Sequence, residues 1–122
     1  DRTLENAKTL AAQRKTAFVP WEEITGTLPS RTLIVNTTVC GMTGQPPLAI
    51  DITALPDDAV VYDIVYKPLV TDLLARARQR GLRTVTGLGM LLQQARPAFA
   101  AWFGVMPEID ETLLQKVTEA AS

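Results

Sequence analysis

The sequence contains no histidine, and its one cysteine is Cys40. A single cysteine excludes an intrachain disulfide and a zinc site built from several cysteines. Serine and cysteine hydrolases of the usual kind activate their nucleophile with a histidine base, so the absence of histidine argues against that class of enzyme. The chemistry of this chain therefore has to be sought in other residue types.

An excess of charge of one sign is also missing, because 12 lysines and arginines stand against 13 aspartates and glutamates. This balance gives no electrostatic reason to expect a nucleic acid or an anionic membrane as partner. No apolar run approaches the length that spans a bilayer and no signal peptide is visible, so a cytoplasmic protein is the default expectation. With 47% apolar and 20% charged residues, the 122 residues have the composition of one modest globular domain.

The chain begins at Asp1 rather than methionine, and a helical pattern follows almost at once. Residues 3–14 place their apolar side chains on one helical face, with Thr3 as the predicted N-cap. We therefore expect a piece of something longer, with a processed amino terminus as the alternative.

Three later segments also have apolar residues at helical spacing. Gly81 is the predicted residue after the C-cap of the first, and Asp110 is the predicted N-cap of the last. The middle segment ends at Gly104, and Pro97 should kink or locally unwind it. The predicted helices are 70–81, 88–103 and 110–121.

Apolar and β-branched runs predict strands, and these alternate with the helices. Pro68 stops one of these runs, and a loop rich in glycine and proline covers 37–50. Continuous apolar strands that alternate with helices favour a parallel α/β sheet. The predicted strands are 17–19, 32–36, 59–66 and 83–87.

Polar residues and glycines stand at the carboxyl ends of the predicted strands, where parallel sheets bind ligands. Asn36, Thr37 and Thr38 follow one strand, Tyr66 follows the next and Gly87 follows the third. The amides at the start of the helix after Gly87 are free to face polar ligand atoms, and Gln94 lies two turns further along. The alternative is structural: the asparagine and threonines cap a turn, the tyrosine is a half-buried core residue, and one of Gln93 and Gln94 is only solvated.

Several motifs in the right order resemble the carboxyl-terminal half of shikimate dehydrogenase. "NTTVCGM", 36–42, is similar to a loop of that family, and "DRTLENAKTLA" resembles its Asn-Arg-Thr segment. The remaining positions fall in an Asp-x-x-Tyr-x-Pro pattern, a Gly-x-x-Met-Leu-x-x-Gln pattern and an aromatic segment. They are Asp63, Tyr66, Pro68, Thr71, Leu73, Leu74, Gly87, Met90, Leu91, Gln94, Phe99, Trp102 and Gly104.

The resemblance implies an α/β fold, a partial Rossmann-like parallel sheet flanked by helices that lacks its first βα unit. The family reduces 3-dehydroshikimate to shikimate with NADPH, on the route to chorismate and the aromatic amino acids. Residues 1–122 would then be the carboxyl-terminal part of the NADP-binding domain. The helices at 88–104 and 110–121 would pack toward an amino-terminal substrate domain that is absent from the chain.

The resemblance also implies roles for individual residues. Arg2 and Thr3 would hold the 2′-phosphate of NADP, with Asp1 and Asn6 beside them. Asn36, Thr37 and Thr38 would line the cofactor cleft, and Ile64, Gly87 and Met90 would lie near the nicotinamide. Tyr66 and Gln94 would contact shikimate or 3-dehydroshikimate. The resemblance implies no catalytic residue and no metal ligand in this chain, because the family's catalytic lysine and aspartate belong to the missing domain.

Two departures from the family pattern bear on the cofactor. Asp1 replaces the usual asparagine and Asn6 replaces a common basic residue; a carboxylate near the ribose favours NAD, whereas Arg2 favours NADP. NADP is the prediction and NAD the alternative. The other interpretations are an NAD-using quinate/shikimate dehydrogenase, a non-catalytic dinucleotide-binding or regulatory module, and a structural association domain. Without the central first strand, the chain is predicted to need help in folding, of which a homodimer is one form, and to be inactive alone.

Overall fold

A computed structural model describes residues 3–122 and centres on a parallel sheet of three strands in the order β1-β2-β3. The strands are β1 (Leu33–Asn36), β2 (Val60–Asp63) and β3 (Arg83–Val85). Leu33 pairs with Val60, and Val60 in turn pairs with Arg83. The predicted α/β class and parallel sheet are confirmed.

The predicted strand at 17–19 is wrong, because these residues have no strand conformation. A strand is stable when a neighbour accepts its backbone hydrogen bonds, and within residues 3–122 the only ladders join β1 to β2 and β2 to β3. β2 also ends earlier than predicted. The N–H of Val65 donates to the side chain of Asp63 at 3.0 Å instead of to a neighbouring strand, which takes the chain out of the ladder.

The helices lie close to their predicted positions. Asp110 accepts a hydrogen bond from the N–H of Leu113 at 2.7 Å, and Gly81 has a φ of 75°, so both predicted caps are confirmed. The helix over 88–103 continues through Pro97, so the predicted local unwinding there is wrong. The α-helices are α1 (Leu4–Arg14), α2 (Ile24–Thr27), α3 (Asp72–Gln79), α4 (Leu88–Phe103) and α5 (Glu111–Ala121), and 3₁₀ turns at Trp21–Glu23 and Leu28–Ser30 flank α2.

The hydrophobic core lies on one face of the sheet. There α3 packs against β2 and β3, and the segment 48–55 packs over the same apolar cluster. The buried apolar side chains of the cluster come mainly from β2, α3 and that segment. They are Leu28, Leu48, Ile52, Leu55, Ala59, Val61, Leu73, Leu74, Ala77 and Leu82.

Two arginines one turn apart hold the segment 48–55 in place: Arg76 of α3 and Arg80, the C-cap of that helix. Arg76 donates to the carbonyl oxygens of Leu48 and Ile50 at 2.9 and 2.7 Å, and Arg80 donates to those of Ile52 and Leu55. This segment belongs to no strand or helix, and the guanidinium groups bond to four of its carbonyls, of which those of Leu48 and Ile52 also accept from backbone N–H groups within the segment. Within it, the backbone N–H of Thr53 donates to the carboxylate of Asp51 and lowers the pKa of that carboxyl.

The opposite face of the sheet is largely uncovered. Side chains of a strand alternate between its two faces, and Leu33, Val35 and Val85 point away from α3. Leu33 is 56% exposed, and the two valines are also exposed.

α4 and α5 form a helical hairpin that joins the rest of the molecule at its two ends. α5 packs against α4, Leu88 at the start of α4 is buried, and the N–H of Leu69 donates to the carbonyl of Ala121 at 2.7 Å. None of the helices described over residues 3–122 is long and apolar enough to cross a bilayer.

Candidate functional site at the strand ends

A buried carboxylate, Asp63, lies where β1 and β2 end. Its side chain is fully buried and accepts three hydrogen bonds. Oδ1 accepts from Nδ2 of Asn36 and from the N–H of Val65, both at 3.0 Å, and Oδ2 accepts from Oγ1 of Thr71 at 2.7 Å. Thr71 is the N-cap of α3. One side chain thus links the ends of two strands to the start of a helix.

Asn36 extends this network into the loop after β1. Its side chain is 3% exposed, and its Nδ2 also donates to the carbonyl of Cys40 at 3.0 Å. Its Oδ1 accepts from both the N–H and the hydroxyl of Thr38, at 3.0 and 2.8 Å. The Thr38 hydroxyl in turn accepts from the N–H of Cys40 at 3.1 Å. The side-chain amide of Asn36 therefore stabilises the turn at 36–40, as the turn-capping alternative predicts.

A cavity of about 500 Å³ opens beside these strand ends. One wall, the β1-side wall, is the loop 38–43, and the other, the β2-side wall, is the segment 64–67. The N–H of Thr43 donates to the carbonyl of Lys67 at 3.1 Å and joins the two walls on one side. The lining is mostly apolar. It consists of Thr38, Val39, Met42, Thr43, Ile64, Val65, Tyr66 and Lys67.

Gly87 packs against the backbone of the β2-side wall. A Cβ on this residue would overlap the carbonyl oxygen of Ile64 and lie 2.8 Å from that of Val65. Real Cβ atoms essentially never approach so closely, so glycine is the residue that fits here. Gly87 has a φ of −69°, so the requirement comes from this close approach and not from an unusual backbone conformation.

A second, larger groove of about 920 Å³ runs between α1 and β1. Asn36, Thr37 and Thr38 lie along it, and Thr38 also lines the first cavity. The two hollows therefore adjoin at the end of β1.

The structure brings some of the predicted site residues together and separates others. Thr38, Ile64 and Tyr66 share the first cavity, with Gly87 directly behind it. Met90 is half-buried and Gln94 exposed on α4, and neither is among the residues that line either hollow.

The predicted phosphate-binding residues belong to the start of the chain. Thr3 holds the N-cap position of α1, where its carbonyl accepts from the N–H of Ala7 at 3.1 Å, and Asn6 is exposed on that helix. Asp1 and Arg2 lie outside the described residues, so their roles stay predictions.

Two features of the site escaped sequence reasoning. Val39, Met42, Thr43, Val65 and Lys67 line the cavity without having been singled out. Asp63 was noted as part of a motif but given no role. A signal was present, because a carboxylate that ends an apolar strand must find donors if it is buried.

The part of the chain that the structure describes contains no cluster of three or more cysteine, aspartate or glutamate side chains placed to hold a metal ion. The arrangement instead suits an organic ligand. Apolar side chains offer contact to a flat ring, while hydroxyls and the phenol of Tyr66 offer hydrogen bonds at the rim.

Comparison with known proteins connects this geometry to one family. The family model for the shikimate 5′-dehydrogenase C-terminal domain matches residues 87–113. Shikimate dehydrogenase (NADP(+)) of Azorhizobium caulinodans is 53% identical over 115 residues, which cover 93% of this chain and 41% of the relative. The chain thus spans about two fifths of the length of such curated relatives.

Solved structures agree with the sequence comparison. Shikimate 5-dehydrogenase from Thermus thermophilus, in complex with NADP(H) and shikimate, has a TM-score of 0.77 and 30% identity, over 99% of this chain and 44% of that one. Quinate dehydrogenase from Corynebacterium glutamicum, in complex with NAD, has a TM-score of 0.74 and 29% identity, over 97% of this chain and 41% of that one. With matching motifs, sequence and fold over nearly its whole length, the chain belongs to the shikimate dehydrogenase family and corresponds to the carboxyl-terminal part of its members.

Proposed function

We propose that this chain forms the NADP-binding part, and a portion of the shikimate-binding part, of a shikimate dehydrogenase that interconverts 3-dehydroshikimate and shikimate. The observation that supports this most is the cavity at the strand ends, which is backed by Gly87 and lies in a chain 53% identical to a shikimate dehydrogenase (NADP(+)). The route to chorismate and the aromatic amino acids is the context that the family implies.

The shape of the cavity fits the nicotinamide end of a dinucleotide. Gly87 keeps α4 close against the Ile64–Val65 peptide, so the wall there is flat and free of side-chain bulk from α4. Ile64 supplies an apolar surface, and Met90 stands on the helix that begins directly after Gly87. NADPH, when bound, supplies the hydride. The role of these residues is to orient the ring and to keep water from it.

The remaining predicted contacts extend from this point in two directions. Along the groove toward α1, Thr37 and Thr38 follow the cofactor, and Arg2 and Thr3 bind its 2′-phosphate by charge-assisted hydrogen bonds. On the other side, Tyr66 and Gln94 reach shikimate. Tyr66 is 43% exposed and lines the cavity.

The exposed apolar face of the α4–α5 hairpin fits the predicted contact with a substrate-binding domain. Trp102 is 79% exposed, and Phe99, Phe103, Val105 and Met106 are exposed near it. Large exposed apolar patches usually mark contact surfaces. A homodimer and a cytoplasmic location also stay predictions.

Titration of the complete protein with NADP⁺ and NAD⁺, together with an assay of shikimate and quinate oxidation, tests the proposal. We expect NADP⁺ to bind more tightly and shikimate to be oxidised. Tighter binding of NAD⁺ with quinate turnover supports the alternative dehydrogenase, to which Asp1 points. Dinucleotide binding without turnover of either polyol supports the non-catalytic module.

Two arginine variants, one of them a control, test the proposed contact with the 2′-phosphate. Arg2→Ala should weaken NADP⁺ binding about tenfold or more and leave NAD⁺ binding unchanged, because hydrogen bonds to charged groups contribute about 1.5–3 kcal/mol. Arg14→Ala, at the other end of α1, is the matched control and should change neither. Equal NADP⁺ affinity in the two variants would show that Arg2 does not bind the 2′-phosphate.

A further inference from the structure

We infer that Asp63 is a positioning residue that sets the separation of the two walls of the cavity, and thereby its fit to the nicotinamide end of the cofactor. The identity of that ligand rests on the proposed function. The role of Asp63 rests on hydrogen bonds within the described chain.

Both walls are attached to the same carboxylate oxygen. Oδ1 of Asp63 holds the β2-side wall directly through the N–H of Val65, at 3.0 Å. It holds the β1-side wall through Nδ2 of Asn36, also at 3.0 Å, and Asn36 in turn bonds to Thr38 and Cys40. The parallel ladder ends at Asn36 and Asp63, and one further backbone hydrogen bond, from the N–H of Ile64 to the carbonyl of Asn36 at 3.1 Å, joins the first residue of the β2-side wall to the end of β1. Beyond that bond, the side chain of Asp63 connects the two walls at the strand ends.

At the far side of the cavity, a backbone hydrogen bond joins the two walls. The hydrogen bond between the N–H of Thr43 and the carbonyl of Lys67 joins the walls at the other end of the loop. The walls are therefore joined by this backbone contact at one end, and at the strand ends by the Asp63 side chain together with the backbone hydrogen bond from Ile64 to Asn36. Removing the Asp63 side chain should let the walls shift apart while the sheet itself stays paired.

The two oxygens of Asp63 serve separate structures. Oδ2 accepts from Oγ1 of Thr71, and that hydroxyl in turn accepts from the N–H of Leu74 as the cap of α3. Removal of the Thr71 hydroxyl therefore disturbs the helix start but takes no hydrogen bond from either wall. Thr71→Val keeps the branched shape beside Gly41 and replaces the hydroxyl with a methyl group, which leaves Oδ2 of Asp63 without its donor but keeps both Oδ1 contacts. It is therefore a matched control for stability loss without loss of a wall contact.

The conservative variant Asp63→Asn separates an acceptor role from mere side-chain volume. Its amide oxygen can occupy the Oδ1 position and keep both wall contacts. Its NH₂ can donate to the Thr71 hydroxyl, which has a second lone pair to accept with. Asp63→Ala leaves the donors of Asn36, Val65 and Thr71 without their buried acceptor.

The experiment measures NADP⁺ dissociation constants and amide hydrogen exchange in the complete protein, well below the unfolding temperature. Asp63→Ala should weaken NADP⁺ binding at least tenfold and increase exchange at Val65 and Thr38. Asp63→Asn should stay within about threefold of the wild type. Thr71→Val should unfold at a lower temperature but bind NADP⁺ within about twofold of the wild type.

Two results would overturn the inference. One is a folded Asp63→Ala protein with wild-type affinity and unchanged exchange at Val65. The other is a Thr71→Val protein that loses as much affinity as Asp63→Ala, because the effect would then follow stability alone. If Asp63→Ala does not fold, Asp63→Asn provides the test. A tenfold loss of NADP⁺ affinity in Asp63→Asn would contradict the role of Asp63 as an acceptor.

Failure of the proposed function has a different signature. A wild-type protein that binds neither NADP⁺ nor NAD⁺ overturns the proposed function. The exchange of the Val65 and Thr38 amides in the variants then still decides whether Asp63 holds the walls.

Discussion

Gly87 is the residue at which the structure leaves the least room for change. The space that a side chain would fill is occupied by the carbonyl groups of Ile64 and Val65, which are backbone atoms and cannot rotate away. Any larger residue therefore has to move α4, the β2-side wall or both. The consequence falls on the cavity, because the displaced carbonyls belong to one of its walls.

Gly87→Ala should lower the free energy of unfolding by about 1–3 kcal/mol or more, the usual cost of overpacking a close contact. It should also weaken NADP⁺ binding. Gly89→Ala is the control: nothing lies within 4 Å of its Cβ, and an alanine within a helix is favoured over glycine by up to about 1 kcal/mol. Urea denaturation of both variants measures the difference. A Gly87→Ala protein as stable as Gly89→Ala would contradict the close approach.

The adjacent glutamines of α4, Gln93 and Gln94, allow a test of the proposed substrate contact. Oε1 of Gln93 accepts from Nη1 of Arg96 at 3.1 Å, and Gln94 points from a different side of the helix. If Gln94 contacts the substrate, Gln94→Ala should raise the KM for shikimate about tenfold with little effect on thermal stability, because a hydrogen bond to the ligand is lost. Gln93→Ala should leave KM unchanged. Steady-state kinetics that do not distinguish the two variants would make Gln94 a solvated residue.

α3 does more than cover the sheet. One of its faces packs into the core, and Arg76 and Arg80 reach from its edge to four carbonyls of the segment 48–55. That segment supplies Leu48, Ile52 and Leu55 to the core. The helix thus fixes an irregular segment whose apolar side chains the fold needs.

Arg80→Met should lower the free energy of unfolding by about 1.5–3 kcal/mol, because hydrogen bonds from a charged donor are lost at part-buried carbonyls. Arg78→Met removes the same charge from the same helix, but its guanidinium makes an exposed contact with Thr84, so less than about 1 kcal/mol is expected. Denaturation midpoints of the two variants provide the comparison. Equal losses would show that charge, and not the carbonyl contacts, matters.

The α4–α5 hairpin, unlike α3, contacts the rest of the molecule mainly at its two ends. It is attached through the Gly87–Leu88 junction and through the hydrogen bond from Leu69 to Ala121, both next to segments that border the cavity. We therefore expect a shift of the hairpin to move the cavity walls as well. Under the proposed function, we expect docking of a further domain on the hairpin to bring Met90 and Gln94 toward the ligand.

For the molecule as a whole, the sheet is half covered. Its α3 face is sealed by the core, while Leu33, Val35 and Val85 on the other face are exposed. In the described residues, β1 and β3 each have a neighbour on one side only. Exposed apolar strands and unpaired edges favour association with further protein.

A polypeptide of residues 1–122 alone should therefore show no oxidation of shikimate with NADP⁺, whereas the complete protein should be active in the same assay. The physical reason is that the cavity offers binding surfaces, whereas the resemblance to the family implies that its catalytic lysine and aspartate lie outside residues 1–122. Measurable turnover by residues 1–122 would overturn this prediction.

The sequence by itself determined most of the helices, the three strands and their order along the chain. Apolar periodicity identified α3, α4 and α5, and the caps Asp110 and Gly81 behaved as their chemistry requires, because capping depends on local backbone and side-chain geometry. The polar residues after β1 and β2 also predicted a site at one sheet edge. The sequence pattern predicted a strand at 17–19 wrongly, because a strand forms only where another strand pairs with it.

Only the tertiary structure decided how the site is held together. Asp63 and Asn36 are far apart along the chain, and their hydrogen bond forms because parallel pairing brings the ends of β1 and β2 side by side. Likewise, the sequence shows a glycine at position 87, but its need to be glycine comes from the Ile64–Val65 backbone packed against it. Local patterns encode local structure, whereas contacts between distant segments appear only when the chain is folded.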